Sequence, residues 1–417
     1  MVDAQNFITH QIEHKVVNEM SNYYDSGSTY DHVLSNVVGF ETNTTLGKSI
    51  GTFTIKLANF KNSANEFDYK DVFGYNDIIT IRIGRNNTNT LVMKGFLESW
   101  KYQVNAKTSL LTLNGVDISR KLLDTIHVGV ANSGGTTPVS TVISDVIQTT
   151  NGKIKEVVTT NNLSTTTYTG YGPLRFNYKQ VWEIIAMLSV NDYTQQGNFH
   201  FWIDEDYDLH WEPVSFDTYD TQLTEGINVL DYKVEKSKVG VKNFIIIDAG
   251  EDLNGHAIYT YAIDYTAVAE NNGEFISDFV KWPEIAEGKR VGKDTDHPFG
   301  NPNDYSGGNS QFRNDVRDAA RLASKEFFGK LNKPLWKAEV RLLGTTGYNL
   351  NNLVYLNIPK LGSNWNESIL GEDGNNYTGK KFRVFGITQS FNQSGWTTKL
   401  TLKSDVEVLE AWYSASS

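Results

Sequence analysis

Apolar and polar residues alternate with a period of two along much of this chain, the pattern of strands buried on one face. In residues 51–57, Phe53, Ile55 and Leu57 fall on one side, with Thr52, Thr54 and Lys56 on the other. Residues 77–84 repeat the pattern, with Ile79, Ile81 and Ile83 against Thr80 and Arg82. Further strands are predicted near residues 91–100 and at Leu111 and Leu113. They are short and punctuated by Gly, Asn and Asp, which favours a small antiparallel barrel or sandwich. Near the C-terminus the pattern returns at 336–342, 353–358, 382–391 and 399–402.

The two regions share ordered features as well as periodicity. Gly74-Tyr75-Asn76 precedes the first aliphatic strand, and Gly347-Tyr348-Asn349 precedes its counterpart. Gly95 is followed by Trp100, and Gly386 by Phe391 at the same spacing. Each region closes on Leu-Thr-Leu, at 111–113 and 400–402, with Asp117 and Asp405 shortly after. Matched order across four features indicates a diverged internal duplication.

Between the two lies a mixed region. Pro138 opens a predicted helix whose Val139, Val142, Ile143, Val146 and Ile147 form one apolar stripe. A second helix is predicted from Asn177, with Gln180 as a capping-box partner and Val181, Ile184, Ile185 and Leu188 buried. A hairpin at 199–211 turns through an acidic loop, and strands follow near 244–248 and 258–263. The polar stretch 270–310 reads as a long loop or insertion. A helix at 312–331 carries Phe312, Val316, Ala319, Ala320, Ala323 and Phe327 on one side.

The fold class expected is therefore mainly β with an α+β middle: two related antiparallel β-barrels flanking a mixed region. The expected domains are 1–130, an N-terminal arm and first barrel; 131–330, the middle region with an insertion at about 264–310; 331–405, the second barrel; and 406–417, a tail.

Charge and composition narrow the function. A net charge of −11 argues against a nucleic-acid-binding surface, which needs clustered Lys and Arg. The most basic stretch, 233–242, is interrupted by Glu235 and reads as a solvated strand edge. The absence of cysteine excludes disulfides, thiolate metal sites and cysteine nucleophiles. With neither an apolar run of membrane-spanning length nor a signal-like N-terminus, the chain is expected to be soluble and made in a cytoplasm.

Candidate chemistry is sparse. Asp204, Asp206 and Asp208 have the spacing that opens a calcium loop, but Leu209 replaces the turn glycine and Ser215 the bidentate glutamate. They are the weak metal candidates; a solvated turn is the simpler reading. His10 and His14 share a helical spacing, yet Gln11 stands where a zinc protease needs Glu, so they read as helix-surface residues. His200 and His210 belong to the paired strands of the hairpin. Ser133-Gly134-Gly135 lacks the Lys of a phosphate loop and reads as a loop tip. No cofactor and no enzymatic activity are expected.

The run from Gly74-Tyr75-Asn76 through Gly84, Met93-Lys94-Gly95-Phe96-Leu97 and Leu111-Thr112-Leu113-Asn114-Gly115-Val116-Asp117, then a short helix at 118–123, resembles phage baseplate hub proteins of the late control protein D group. The helix beginning at Asn177, the 199–211 hairpin and the 312–331 helix resemble the family's later parts, while 270–310 has no counterpart. The resemblance implies a structural virion protein of the tail baseplate, assembled in the host cytoplasm. It implies a homotrimer adapting a sixfold tail tube to a threefold spike, since two tube-like barrels per chain present six in a trimer. The implied partners are the tail tube protein and a central spike or tip protein, with tape-measure and baseplate wedge proteins further candidates. DNA would pass through without specific binding, and no membrane is entered. An alternative is a glycan- or receptor-binding tail-tip protein, motivated by nine Trp and by the loop presenting Trp365. A carboxylate-based cell-wall hydrolase is a third reading, resting on Asp204 and Asp208.

Overall fold

The computed structural model describes residues 8–16, 32–46, 50–61, 69–105, 108–131, 138–150, 158–165, 174–189, 199–213, 220–237, 242–270, 272–281, 286, 308–331, 335–371 and 374–404. In chain order the first strands are β1 (Ile8–Lys15), β2 (His32–Val33), β3 (Val37–Thr45), β4 (Thr52–Ala58), β5 (Ile78–Arg85), β6 (Thr88–Val104) and β7 (Ser109–Asp117). Helix α1 (Ser119–Asp124), β8 (Ile126–Ala131), α2 (Val139–Thr149), β9 (Thr159–Leu163), β10 (Leu174–Gln180) and α3 (Val181–Leu188) follow. Next come β11 (Phe199–Ile203), β12 (Asp208–Pro213), β13 (Asp220–Thr224) and β14 (Val229–Ser237). A separate unit holds β15 (Phe244–Glu251), β16 (Ala257–Ile263), α4 (Tyr265–Glu270), β17 (Ser277–Lys281) and α5 (Gly308–Leu331). The chain closes with β18 (Leu335–Leu343), β19 (Leu353–Asn357), β20 (Ser368–Leu370), β21 (Asn376–Thr378), β22 (Lys380–Asn392) and β23 (Gly395–Lys403).

Contacts divide the chain into one unit of residues 1–234 and 337–417 and another of 235–336. The 199–213 hairpin and its helices fall in the first unit, where their buried cluster includes Ile78 and Phe96. In the second unit, the sheet order is β16-β15-β17, with β17 parallel to β15. Part of the expected polar loop is thus a strand. Phe312, Val316 and Ala320 of α5 are buried, as are Ile245, Ile247 and Ile258 of the sheet. Ala319 is half-buried, and the side chains of Ala323 and Phe327 lie outside the described residues. Asp252 ties the β15–β16 turn to α5, accepting bonds from Asn309 Nδ2 (2.9 Å) and Arg313 (2.7 Å).

The larger unit is built on one 13-stranded sheet. Its order contains the run β3-β4-β7-β6-β5-β1 from the first half. The second half gives β14-β18-β23-β22-β19, and β13 pairs with β19 beyond it. Position for position these are the same order. They differ at the last place, where β1 runs antiparallel to β5 but β13 runs parallel to β19.

Hydrogen bonds set the correspondence residue by residue. Asn76 N–H donates to the Leu97 carbonyl (2.8 Å) and Asn351 N–H to that of Val384 (3.0 Å). Leu97 N–H returns to Asp77 O (2.9 Å), and Val384 N–H to Asn352 O (2.9 Å). Gly74 N–H binds the Asp77 carboxylate at 2.6 Å, and Asn349 N–H the Asn352 side chain at 2.7 Å. Asn76 and Asn351 both adopt left-handed φ, 64° and 67°, a conformation Asn tolerates. The β6–β7 pair is irregular between Leu97 and Ser99, the β22–β23 pair between Val384 and Gly386. These pairings align Gly74 with Asn349, Trp100 with Ile387 and Asp117 with Ser404. The motif match in the sequence is displaced from them: Trp100 stands four residues from its expected partner Phe391 and Gly74 two from Gly347.

Core volume is exchanged between the halves. Phe53 faces Gly115 across β4 and β7, and the corresponding pair across β18 and β23 is Ala338 and Leu402. A Cβ on Gly115 would lie 2.2 Å from the Phe53 ring and as close to the Phe96 carbonyl oxygen. Large against small in one half becomes small against large in the other, which conserves packed volume.

Three sequence expectations change. His10 and His14 lie on β1, paired with Ile83 and Ile79 of β5, not on a helix; covering the β5 edge satisfies the backbone groups of both strands. Asn177 lies in β10, not at a helix start, because β8 takes that segment's backbone bonds; α3 starts at Val181, whose N–H donates to Thr125 O (2.9 Å). Trp365 is buried and stacked near Phe382 with centroids 6.1 Å apart, since the single 3-10 turn Ser363–Trp365 folds back onto β22. This removes the exposed platform that motivated a glycan-binding reading.

Candidate functional site

The middle region supplies the hairpin that carries the candidate carboxylates. Ile143, Val146 and Ile147 of α2 and Ile184, Ile185 and Leu188 of α3 form one buried cluster with Phe199 and Trp211. Phe199 stacks on Trp211 at 4.1 Å, and the Trp211 indole N–H donates to Ser189 Oγ (2.8 Å). The apolar side of the hairpin is thereby clamped, and its polar side looks into a cleft of about 400 Å³. Lys94, Asp117, Trp202, Asp204, His210 and Tyr348 are among the residues lining it.

The three aspartates do not converge. Asp204 Oδ1 accepts the N–H groups of Asp206 (3.0 Å) and Asp208 (2.9 Å), closing the turn. Its other oxygen accepts a bond from His210 Nε2 at 2.8 Å. Burial alone would lower the His210 pKa, but its bonds to Asp204 and Glu212 outweigh that and raise it to about 9. The imidazolium then stacks on Trp202 at 4.6 Å. Burial opposes ionisation of Asp204, and the His210 bond reverses this, holding its carboxyl below the usual range. Asp208 turns the other way, to Thr159 Oγ1 (2.8 Å), Asn161 N–H (3.0 Å) and Asn162 Nδ2 (2.7 Å). It fastens β12 to the parallel strand β9. Asp206 is exposed. Among the described residues, no group of three His, Asp or Glu side chains is placed to hold a metal ion.

Asp117 closes the first half against the cleft. It accepts the N–H groups of Gly51 (2.9 Å) and Ser119 (3.0 Å), while burial, larger than these bonds, raises its carboxyl to about 6. A Cβ at Gly51 would sit 2.1 Å from Asp117 Oδ2, so the position takes Gly. His14 and Asp77 form a second buried pair at 2.7 Å. Asp77, Asp117, Asp204 and Asp208 are thus engaged in joining strands, turns and helices.

The remaining markers are structural. Tyr75 is exposed and packs beside Trp100 at 5.0 Å. Gly95 lies opposite Asp117, where a Cβ would press on the Val116 carbonyl at 2.3 Å. Gly347 N–H donates to Thr345 Oγ1 (3.2 Å). Gly386 faces Thr45, and Phe391 faces Phe40 with ring centroids 5.6 Å apart. Asp405 and Ser133-Gly134-Gly135 lie outside the described residues.

Sequence reading missed β3, the element that unites the halves. Residues 386–391 of β22 pair antiparallel with residues 40–45 of β3, so the two repeats become one continuous sheet. Its residues 37–45 alternate poorly around Gly39 and Asn43, which hid it. His200, read from the sequence as a packed residue of the hairpin strands, is on β11, opposite Glu212. It is fully buried, edge-on to Phe385 at 5.7 Å, and neither ring nitrogen has a hydrogen-bond partner among the described residues.

No protein-family description matches the sequence, and no curated protein sequence does. Solved structures do. The chain is similar to a 43 kDa tail protein of prophage MuSo2 from Shewanella oneidensis, with 13% identity, a TM-score of 0.59, and coverage of 96% of this chain and 99% of that one. It is likewise similar to a tail protein from Neisseria meningitidis MC58, with 12% identity, a TM-score of 0.59, and coverage of 95% and 97%. The fold is shared end to end with these proteins.

Proposed function

We propose that this chain, which has the fold of prophage tail proteins, is a structural hub of a phage-type tail. Three copies form a ring that adapts a sixfold tube to a threefold spike and surrounds the path of the DNA. The observation that carries this reading is the repeated strand order: one chain contains two like arcs joined edge to edge through β22 and β3. Three such chains contain six arcs, and everything present once per chain obeys threefold symmetry. The tube protein would then meet the arcs and the spike the once-per-chain elements. A non-enzymatic role is supported by Asp117 and Asp204 of the cleft, whose bonds are to their own framework.

Mass measurement of the purified protein tests this. The expected result is a particle of three times the chain mass, ring-shaped in electron micrographs with six similar lobes on one face. A monomer or dimer at every concentration tested would overturn the reading.

A further inference from the structure

The cleft beside the 199–213 hairpin has a floor and a rim of different character. Its floor is the in-chain junction, where Thr42 and Thr44 of β3 lie opposite Gln389 and Ile387 of β22. Gln389 is bonded at both ends. Its amide N–H donates to the Thr345 carbonyl (2.9 Å), and its oxygen accepts from the Trp396 indole and from Thr398 Oγ1, each at 2.8 Å. Thr44 Oγ1 reaches the Ile387 carbonyl at 3.4 Å. Thr42 differs. It is only 2% exposed, and its hydroxyl has no hydrogen-bond partner among the described residues. A buried hydroxyl is ordinarily paired, and the open side of this one is the cleft that it lines.

The rim is acidic. Asp117, Asp204, Glu205 and Glu212 line the cleft, against Lys94 and His210. His210 is shared between Asp204 (2.8 Å) and Glu212 (3.5 Å), so one cation answers two carboxylates. Glu205 is exposed and forms no ion pair among the described residues. Lys94 does not offset the excess. Its ammonium rests over the Tyr207 ring at 4.2 Å and feels the charge of Asp206, and neither of these residues lines the cleft. The cleft therefore presents uncompensated negative charge above an unpaired hydroxyl.

We infer that this cleft receives a guanidinium group, the arginine side chain of a partner protein. A metal ion needs ligands that converge on one point, and the carboxylates here do not. A guanidinium instead carries five N–H donors spread in a plane and no acceptor, so it serves oxygens that stand on separate elements. Thr42 accepts from the floor, and Glu205 and Glu212 accept from the hairpin. Trp202 and Tyr348, both half-buried in the lining, give ring surface on which the planar cation and its apolar stem rest. The arginine arrives on a protein because a free amino acid would carry its own carboxylate into the same negative field. This inference stands apart from the hub reading, since the cleft lies wholly within one chain.

Binding of acetyl-arginine amide to the full chain, followed by calorimetry or saturation-transfer NMR, tests it. Acetyl-citrulline amide is the uncharged isostere. The arginine compound is expected to bind in the millimolar range and the citrulline compound not to bind at about 10 mM. Glu205→Gln should weaken binding at least about tenfold, with an unchanged thermal melt because the residue is exposed. Thr42→Val should weaken it about fivefold and leave the melt unchanged or raised. Free arginine should bind no better than the amide. The inference is overturned if the arginine compound does not bind, if citrulline binds as well, or if Glu205→Gln binds like the parent. A lowered melt for Thr42→Val would show that its hydroxyl is used inside the fold, and would also overturn it. Tighter binding of acetyl-lysine amide or 1,4-diaminobutane would give the site to an ammonium and refute the guanidinium. None of these results bears on whether the protein is a trimer, so the hub reading stands or falls separately.

Discussion

His200 makes the acid stability of the protein calculable. Burial between β11 and β22 pushes its imidazole from 6.5 down to about 3, and the nearby Arg383 and Lys403 act in the same direction. Below pH 6.5 the unfolded chain takes up a proton that the folded one refuses, so stability falls as pH falls and the loss is complete only near pH 3. Each pH unit in that window costs about 1.4 kcal/mol. At pH 4.5 the loss is about 3 kcal/mol, a large part of the 5–15 kcal/mol typical of a folded domain. His200→Phe keeps an aromatic ring against Phe385 and removes both unpartnered nitrogens. It is expected to match or exceed the parent at pH 7.5, and to exceed it by about 3 kcal/mol more at pH 4.5. Urea unfolding at the two pH values, followed by tryptophan fluorescence, measures the gap. Titration of the other groups is common to both proteins and cancels in the comparison. A gap that does not widen on acidification would refute the reasoning, because it would mean that His200 is protonated or solvated in the folded state.

Three further outcomes are expected. Asp117, raised from 3.8 to about 6 by burial, costs the fold about 3 kcal/mol once both states are ionised above pH 6, and this cost fades as pH falls toward 4; Asp117→Asn should flatten that part of the pH–stability curve, less about 1 kcal/mol for a lost hydrogen bond. Phe53→Ala should cost about 3 kcal/mol and Gly115→Leu more, since its Cβ would meet the Phe96 carbonyl oxygen at 2.2 Å as well as the Phe53 ring; the double variant, which relieves the ring clash alone, should cost at least about 1 kcal/mol less than their sum in a denaturant double-mutant cycle. Asp252→Ala strips α5 of its bonds through Asn309 and Arg313 and should destabilise the 235–336 unit by about 3 kcal/mol in a thermal melt. Burial disfavours the Asp252 charge, but bonds from Asn309, the His256 and Asn254 N–H groups and Arg313 hold its carboxyl far below the usual range; its contribution is present above pH 4 and lost only in stronger acid.

Period-two alternation was enough to place β4, β18 and β23, which bury one face and leave the other more open, and it marked β5 and β7 as well, although β5 is buried on both faces. The stripes on α2, on α3 from Val181 and on α5 were equally legible, since a helix that covers a sheet must be apolar along one side. Repetition of the strand pattern was visible for the same reason. Its residue-level alignment was not: Phe53 with Gly115 and Ala338 with Leu402 are the same joint with the volumes exchanged, and a motif match follows residue identity rather than summed volume. Strands whose partners are distant in the chain were hidden too. Pairing with β5 along its whole length makes β1 a strand, and pairing with β22 makes β3 the link between the halves. The acidic hairpin shows the limit for chemistry: spacing alone put Asp204, Asp206 and Asp208 together, while the fold turned one to His210, one to solvent and one to β9. Local pattern thus determined the strands and helices that carry a clear apolar stripe. Which edges meet, and which carboxylates are used up in meeting, was decided by long-range hydrogen bonds that no local pattern encodes.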